Sequence, residues 1–281
     1  PHLLSLPSSR NDFRRRVLVS LLSLLLALLG SLSRHSATAY AAPATNPSTP
    51  SVVATIPVGA RPWGLGVNPA TNRVYVTNQS DNTMSVINSS TNAVIATIPL
   101  GSQPAGVAVN PATNRIYVTE PLSGTVSVFD GATNRIIATI PVGLGGVDDI
   151  TVNPKTNRVY VVNPNDAGIS DPYSNTVSVI DGNANQVIAS VLLPHLYNDV
   201  GPPANIDVNL TTNLIYAGNC CTGVDSIDGA TNTVIDSGNS GIGIDLYSYF
   251  GLRVNSVTNH IYEANQGIIS DLDGATLAVS E

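Results

Sequence analysis

The fold is decided by the stretch Val107-Ala-Val-Asn-Pro-Ala-Thr-Asn-Arg-Ile-Tyr-Val-Thr-Glu120, which continues through a polar turn to Thr125-Val-Ser-Val-Phe-Asp130. Similar text begins at four other places: Val67, Val152, Val208 and Val254. The asparagines that follow the five valines are 42, 43, 56 and 46 residues apart. A repeat in the forties that is built from short strands is typical of a β-propeller.

Each repeat can be divided into four strands. In the second repeat three of them are predicted at Gly106–Asn110, Arg115–Thr119 and Thr125–Phe129. The outer strand reads Val-Ile-Ala-Thr-Ile-Pro at Val94–Pro99, and its final Pro suits the edge of a sheet. This outer-strand text recurs at three places: Val52–Pro57, Ile136–Pro141 and, more loosely, Val187–Leu192.

The turn Asn110-Pro-Ala-Thr-Asn114 joins the first two strands of the repeat. Pro presets φ at the second turn position and Asn caps the first, so this segment predicts a hairpin.

Apolar residues occupy both faces of the predicted strands. Ile116 and Val118 lie on one face of their strand, whereas Tyr117 lies on the other. Sheets that are apolar on both faces must be covered on both sides, as happens when small sheets stack around an axis. A β-sandwich would show a cleaner alternation, and a β-solenoid has shorter coils, so both alternatives are less favoured.

A leader precedes the repeats. The basic segment Arg14–Arg16 is followed by an apolar run and then by small residues up to Ala41, which predicts a secretory signal peptide over residues 1–41. The alternative is an uncleaved membrane anchor, since a slightly longer apolar run could span a bilayer. Residues 42–51 are rich in Pro, Ser and Thr and are predicted to form a linker.

Charge argues against nucleic acid as a partner. After residue 41 the chain has 7 basic and 18 acidic residues, a net charge of −11. Such a surface repels a phosphate backbone, and the basic residues are scattered instead of forming a stripe. A membrane contact is expected only through an uncleaved leader.

The repeat resembles a known family in its strand texts. Tyr75-Val-Thr-Asn78, with the following Thr83–Ile87 and Val94–Gly101, resembles the YVTN-type β-propeller repeat of exported bacterial and surface-layer proteins. The resemblance covers residues 52–281 and weakens at Tyr216 and Tyr262. It implies an all-β propeller of four-stranded blades outside the cytoplasm, in the periplasm or at the cell surface, and carries no catalytic motif.

Five repeats are visible, and the outer-strand text begins again at Thr276–Ser280. A closed ring of five blades needs this text at one terminus, whereas here it stands at both. We therefore expect the five repeats to be part of a larger ring, and the family implies seven blades. An open arc would leave the first and last sheets uncovered.

The residues that begin the inner strands supply the candidate site, because inner strands line the channel of a propeller. Alignment of the repeats places polar residues at this level in the last three of them, where the first two carry small residues. The ligand-binding candidates are Trp63, Asp148, Asp149, Asn205, Asp207 and Arg253.

Several roles are open for these residues. Oxygen ligands that converge on an axis suit Ca²⁺ or a polar ligand, so Asp148, Asp149 and Asp207 are the candidates if a metal binds. Alternatively, Asp207 pairs with Arg253 on the neighbouring blade, and Asp148 or Asp149 binds backbone amides in a turn. Trp63 could stack on a ligand or plug the channel mouth.

Cys220 and Cys221 are adjacent and predict a vicinal disulfide in an oxidising compartment, with free or intermolecularly paired thiols as the alternative. His195 and His260 are isolated in the sequence, which argues against a Cys–His metal site. After residue 42 the chain contains no nucleophile elbow, HExxH or phosphate-loop pattern.

Two functions are carried forward. The first is an exported, non-enzymatic propeller that binds a protein, a glycan or a small ligand at the channel mouth and loops of a cell-envelope protein, without a cofactor unless Ca²⁺ binds. The alternative is a metal-dependent propeller enzyme of the lactonase or lyase type. The insertions Asn163–Ser174 and Leu193–Pro203 break the period and could carry recognition.

Overall fold

The computed structural model describes residues 51–101, 103–143, 149–163, 175–194, 203–219, 223–239, 251–265 and 268–279. The leader, most of the linker and most of the two insertions lie outside these ranges. Residues 54–281 form one compact unit, which contains every strand described below. The described residues contain no helix, and hence none that is long and apolar enough to cross a membrane.

The molecule is a five-bladed β-propeller, and each blade is an antiparallel meander in chain order. Blade 1 consists of β1 Pro62–Asn68, β2 Arg73–Asn78, β3 Thr83–Asn88 and β4 Ala93–Pro99. Blade 2 consists of β5 Val107–Asn110, β6 Arg115–Glu120, β7 Thr125–Asp130 and β8 Arg135–Pro141. Blade 3 consists of β9 Ile150–Asn153, β10 Arg158–Asn163, β11 Thr176–Asp181 and β12 Gln186–Leu192.

Blade 4 consists of β13 Pro203–Asn209, β14 Leu214–Asn219, β15 Gly223–Asp228 and β16 Thr233–Asn239. Blade 5 has three strands: β17 Gly251–Asn255, β18 His260–Asn265 and β19 Ile268–Asp273. A single bridge between Leu272 and Val279 stands in place of its fourth strand. The prediction of an all-β propeller is therefore confirmed, and four of the five blades have the expected four strands.

Asparagine makes the tight turns of the repeat. The last residue of each β1–β2-type turn is an Asn in the left-handed region, with φ of 53° at Asn72 and 52° at Asn114. Asn tolerates this conformation better than most residues. The first Asn of the turn accepts a backbone bond, as Asn110 Oδ1 does from the Ala112 amide at 3.0 Å. The hairpins predicted from Asn-Pro-Ala-Thr-Asn are thus confirmed with their mechanism.

Blade 5 differs from the other blades in its outer strand, which is reduced to a single bridge. Leu277 takes the left-handed conformation, with φ of 53°, at the turn position that Asn134 occupies in blade 2. A leucine is strained there, and burial of its side chain against Tyr216 and Leu272 offsets the strain. The strand predicted at Thr276–Ser280 is reduced to the bridge at Val279.

The prediction of an outer strand at Val52–Pro57 is wrong. Residues 51–58 have no strand pairing in the structure. An outer strand pairs with the free edge of the third strand of a blade. In blade 5 the third strand is β19, and its edge pairs with Val279 instead.

Packing between consecutive blades forms the core. We call the side of a blade that faces the next blade in chain order its forward face, and the opposite side its back face. Tyr75 on the forward face of blade 1 packs with Val107 and Val109 on the back face of blade 2. Equivalent clusters join the next three pairs of blades and are built around Tyr117, Tyr160 and Tyr216. All four tyrosines are fully buried.

A hydrogen bond between asparagine side chains accompanies each cluster. The buried Asn68 donates through Nδ2 to Oδ1 of the left-handed Asn114 in the next blade, at 2.8 Å. We call this contact a rung. Three more rungs repeat it: Asn110 to Asn157 at 2.7 Å, Asn153 to Asn213 at 2.7 Å and Asn209 to Asn259 at 2.8 Å.

The junction between blades 5 and 1 differs from the other four. Among the described residues no apolar cluster joins these two blades. Tyr262, the counterpart of the four buried tyrosines, is 39% exposed. Leu65 is 62% exposed, whereas its counterparts in the other blades, such as Val107, are at most 9% exposed. The forward face of blade 5 and the inner part of the back face of blade 1 are therefore uncovered.

We predict that Asn110→Ala destabilises the propeller by about 1–3 kcal/mol, because it removes the rung and leaves Oδ1 of Asn157 without its donor. Asn255→Ala is the matched control, since Asn255 caps the same turn but is exposed and donates no rung among the described residues. Urea unfolding measures both variants. Equal losses of stability would show that turn capping, and not the rung, is what the asparagines contribute.

Candidate functional site

The inner strands surround a cavity of about 640 Å³. Blades 1 and 2 contribute apolar groups from Leu65, Val107, Ala108 and Val109. Blades 3 to 5 contribute the polar side chains of Asp149, Thr151, Asn205, Asp207 and Arg253, together with Ile150, Val152 and Ile206. The ionisable lining residues therefore all belong to blades 3 to 5, whose side of the cavity we call the polar wall, and the side of blades 1 and 2 is the apolar wall.

The apolar wall depends on two glycines in β1. A Cβ on Gly64 would lie 2.2 Å from the carbonyl oxygen of Ala105, and one on Gly66 would lie 2.8 Å from Cγ1 of Val107. Any other residue would push blade 2 away from blade 1. The glycines thus permit the close approach that forms this wall.

Asp149 fastens blade 3 to blade 4 at the polar wall. Its Oδ1 accepts from the amide of Ile150 at 2.9 Å, and its Oδ2 accepts from the amide of Ile206 on the neighbouring blade at 3.2 Å. Burial raises the pKa of this carboxyl, and the two amide bonds oppose the rise. The nearby Arg253 also opposes it, whereas Asp207 adds to it.

Asp207 repeats this arrangement one blade further on. Its Oδ2 accepts from the amide of Val254 on blade 5 at 2.9 Å, and its Oδ1 accepts from the amide of Val208 at 2.9 Å. The hydroxyl of Thr151 donates to the same Oδ1 at 3.4 Å. Each carboxylate thus bridges two blades and also borders the cavity.

The ion pair between Asp207 and Arg253 that the sequence left open is not formed. Arg253 instead donates through Nη1 to the carbonyl of Leu252 at 2.7 Å. The alternative that the acidic residues bind backbone amides is correct for Asp149 and also describes Asp207. Arg253 is exposed and borders the cavity.

Trp63 and Asn205 also border the cavity. Trp63 is 50% exposed, and the guanidinium carbon of Arg61 lies 5.6 Å from its ring centroid, a cation–π contact. The indole is therefore held at the mouth without being buried as a packed plug. Five of the six sequence candidates lie around the same cavity, while their role in binding stays a prediction.

The remaining candidates cannot be placed. Asp148, Cys220, Cys221 and His195 lie outside the described residues. Within the described part of the chain no three His, Cys, Asp or Glu side chains are grouped to hold a metal ion. Both carboxylates of the polar wall accept hydrogen bonds from backbone amides.

Sequence reasoning missed two neighbours of the site and one pair of side chains elsewhere in blade 5. Thr151 occupies the same position as Asp207 when the repeats are aligned, and this shared position could have identified it as a neighbour of the site. Arg61 precedes the first strand, outside the repeat text, so alignment gave no signal. His260, which the sequence left without a partner, lies with its Nδ1 2.6 Å from Oδ1 of Asp271.

Comparisons with known proteins support the fold. No protein-family model matches the sequence, and no curated protein matches it. Hydrazine synthase of Kuenenia stuttgartiensis is similar in structure, with a TM-score of 0.57, 18% identity and coverage of 78% of each chain. The Cps50 (Swd1) β-propeller domain of Myceliophteria thermophila gives a TM-score of 0.59 at 12% identity, over 78% of this chain and 67% of that one. At these identities the likeness shows the propeller fold alone.

We predict that Asp207→Ala lowers the free energy of unfolding by about 1–3 kcal/mol, because the amides of Val208 and Val254 lose their acceptor. Amide hydrogen exchange at Val254 should accelerate as blade 5 loosens. Asp236→Ala is the control, since Asp236 is exposed and, among the described residues, its side chain accepts only from the adjacent Ser237 amide. If both variants behave alike, the bridge between blades 4 and 5 does not support the docking of blade 5.

Proposed function

We propose that this protein is an exported, non-enzymatic propeller that binds carbohydrate in its central cavity. The observation that carries the proposal is the division of the cavity into an apolar wall from blades 1 and 2 and a polar wall from blades 3 to 5. A ligand that fits such a cavity needs one apolar face and several hydrogen-bonding groups on the other.

A sugar ring has this character. Its axial C–H groups form an apolar face, and its hydroxyls both donate and accept hydrogen bonds. The half-exposed indole of Trp63 offers a platform at the mouth for the apolar face of a sugar. Asn205, Arg253 and the second lone pairs of Asp149 and Asp207 offer partners for the hydroxyls.

Charge at the polar wall also favours a neutral ligand over an anion. Two carboxylates border the cavity beside one guanidinium, and the chain after residue 41 carries a net charge of −11. A phosphate or nucleotide would have to approach against this field. The hydroxyl groups of a neutral ligand can accept hydrogen bonds from Arg253 and donate hydrogen bonds to the carboxylates, and such a ligand is not repelled by the negative charge of the protein.

Export and the cell-envelope setting rest on the predicted leader and on the resemblance of the repeat to YVTN-type proteins. The ring of seven blades implied by that resemblance likewise stays a prediction. A non-enzymatic role is supported by the sequence, which after residue 42 contains no nucleophile elbow, HExxH or phosphate-loop pattern.

We predict that saccharides stabilise the full-length protein against heat and that Arg253→Ala weakens their binding by about tenfold, the effect of losing a charged hydrogen bond. The probes are glucose, galactose, mannose, N-acetylglucosamine and their soluble β-linked oligomers, tested by thermal shift and then by calorimetry. Arg135→Ala is the matched control, because Arg135 is equally exposed but lies on an outer strand.

The same melts should be run with Ca²⁺, Mg²⁺ and Zn²⁺ alone. A shift with an ion but with no saccharide, lost on Asp149→Asn, would replace this proposal by the metal-dependent enzyme. The carbohydrate proposal is also overturned if no saccharide shifts the melt, or if Arg135→Ala weakens binding as much as Arg253→Ala.

A further inference from the structure

Within the described part of the chain, the series of rungs ends in one donor and one acceptor without partners. Asn255 occupies the donor position of blade 5, and its Nδ2 has no acceptor among the described residues. Asn72 occupies the acceptor position of blade 1, with the same left-handed φ as its four counterparts, and its Oδ1 has no donor there. Both residues are exposed.

The apolar parts of the same two faces are also uncovered. Leu65 and Val67 of β1 are 62% and 53% exposed, and they are counterparts of Val107 and Val109, which pack against Tyr75. Tyr262 on blade 5 is the counterpart of Tyr75. Further out on the back face of blade 1, Val76 and Ile87 are buried, so the uncovered part is the inner strand.

Blade 5 carries polar residues around this tyrosine. Asp271 lies across from Tyr262, where Val86 lies across from Tyr75 in blade 1. Asp271 pairs with His260, whose ring stacks on Tyr262 with the centroids 6.4 Å apart. A face with an aromatic centre and a polar surround resembles a separable interface more than a core.

We propose that the forward face of blade 5 docks onto β1 of blade 1 in a second copy of this chain. Asn255 of one copy then donates to Asn72 of the other, and Tyr262 covers Leu65 and Val67 as Tyr75 covers Val107 and Val109. The contact is heterologous, because it joins two different faces of the same protein. Repetition of the contact produces a closed ring of copies or a filament.

Pairing of two blade-1 faces is disfavoured by the hydrogen-bonding groups. It would bring two Asn72 acceptors together and leave both Asn255 donors unused. Closure within one chain would use the same groups, but the rung is open within the chain in this structure. A second copy provides the complementary face.

Two full-length copies with different tags test this contact. One copy carries Asn72→Cys and the other Asn255→Cys, and both carry Cys220→Ser and Cys221→Ser to remove native thiols. Mild oxidation should give a disulfide-linked product that contains both tags, and Leu65→Asp in the first copy should abolish it. Asn68→Cys with Asn114→Cys in one chain calibrates the oxidation, because that rung is formed and its disulfide should lie within the monomer.

Three outcomes overturn the proposal. The first is a chain with both Asn72→Cys and Asn255→Cys that links only within itself, which shows intramolecular closure. The second is a two-tag product that persists with Leu65→Asp. The third is the loss of any two-tag product while the calibration pair links normally.

Sedimentation then distinguishes a contact between blade 5 and blade 1 from a contact between two blade-1 faces, without crosslinking. Leu65→Asp blocks the blade-1 face and Tyr262→Asp blocks the blade-5 face, so each variant alone should be monomeric. Their mixture retains one intact face from each and should form a dimer. A Tyr262→Asp variant that still dimerises alone would establish contact between two blade-1 faces and contradict the proposal.

Discussion

Consecutive blades of this protein meet through apolar faces, and the structure depends on the four junctions in which each of these faces is covered by its neighbour. A four-stranded sheet cannot cover itself, so the blades stack around an axis. The same two devices secure each of the four formed junctions: a buried tyrosine packs into the back face of the next blade, and an asparagine rung satisfies the turn beside it. The tyrosine supplies buried apolar area, and the rung fixes the register of one blade against the next.

The cavity follows from a change in how the inner strands are fastened. Between blades 1 and 2 the hydroxyl of Thr77 donates to the carbonyl of Ala105 at 2.7 Å, and the inner strands keep small residues. From blade 3 onward, the carboxylates of Asp149 and Asp207 instead accept hydrogen bonds from backbone amides of the next blade. The structural fastening therefore also places charge at one side of the channel, which is why scaffold and candidate site share residues.

Much of this was predictable from the repeat. The spacing of the asparagines predicts the blades, and the Asn and Pro residues predict the turns. Alignment of the repeats predicts that Asp149, Asn205, Asp207 and Arg253 border one cavity. Alignment gives a level but no partner, so it could not decide between an ion pair and amide bonds for Asp207.

Contacts that break the repeat could not be predicted from it. Glu263 stands where blade 2 has Val118, and it is buried, which raises its pKa by desolvation. Its Oε2 has no hydrogen-bond partner among the described residues. The failure of Val52–Pro57 to form a strand has a similar origin, because strand text forms a strand only where another strand offers an edge.

The central claim is that four tyrosine faces are covered and the fifth is not. Nitration of the folded full-length protein with tetranitromethane, followed by peptide mapping, tests it directly. The structure predicts fast modification of Tyr262 and protection of Tyr75, Tyr117, Tyr160 and Tyr216 in dilute solution. Modification of any of these four at the rate of Tyr262 would contradict the stacking of the blades, and protection of Tyr262 in the monomer would contradict the open fifth face.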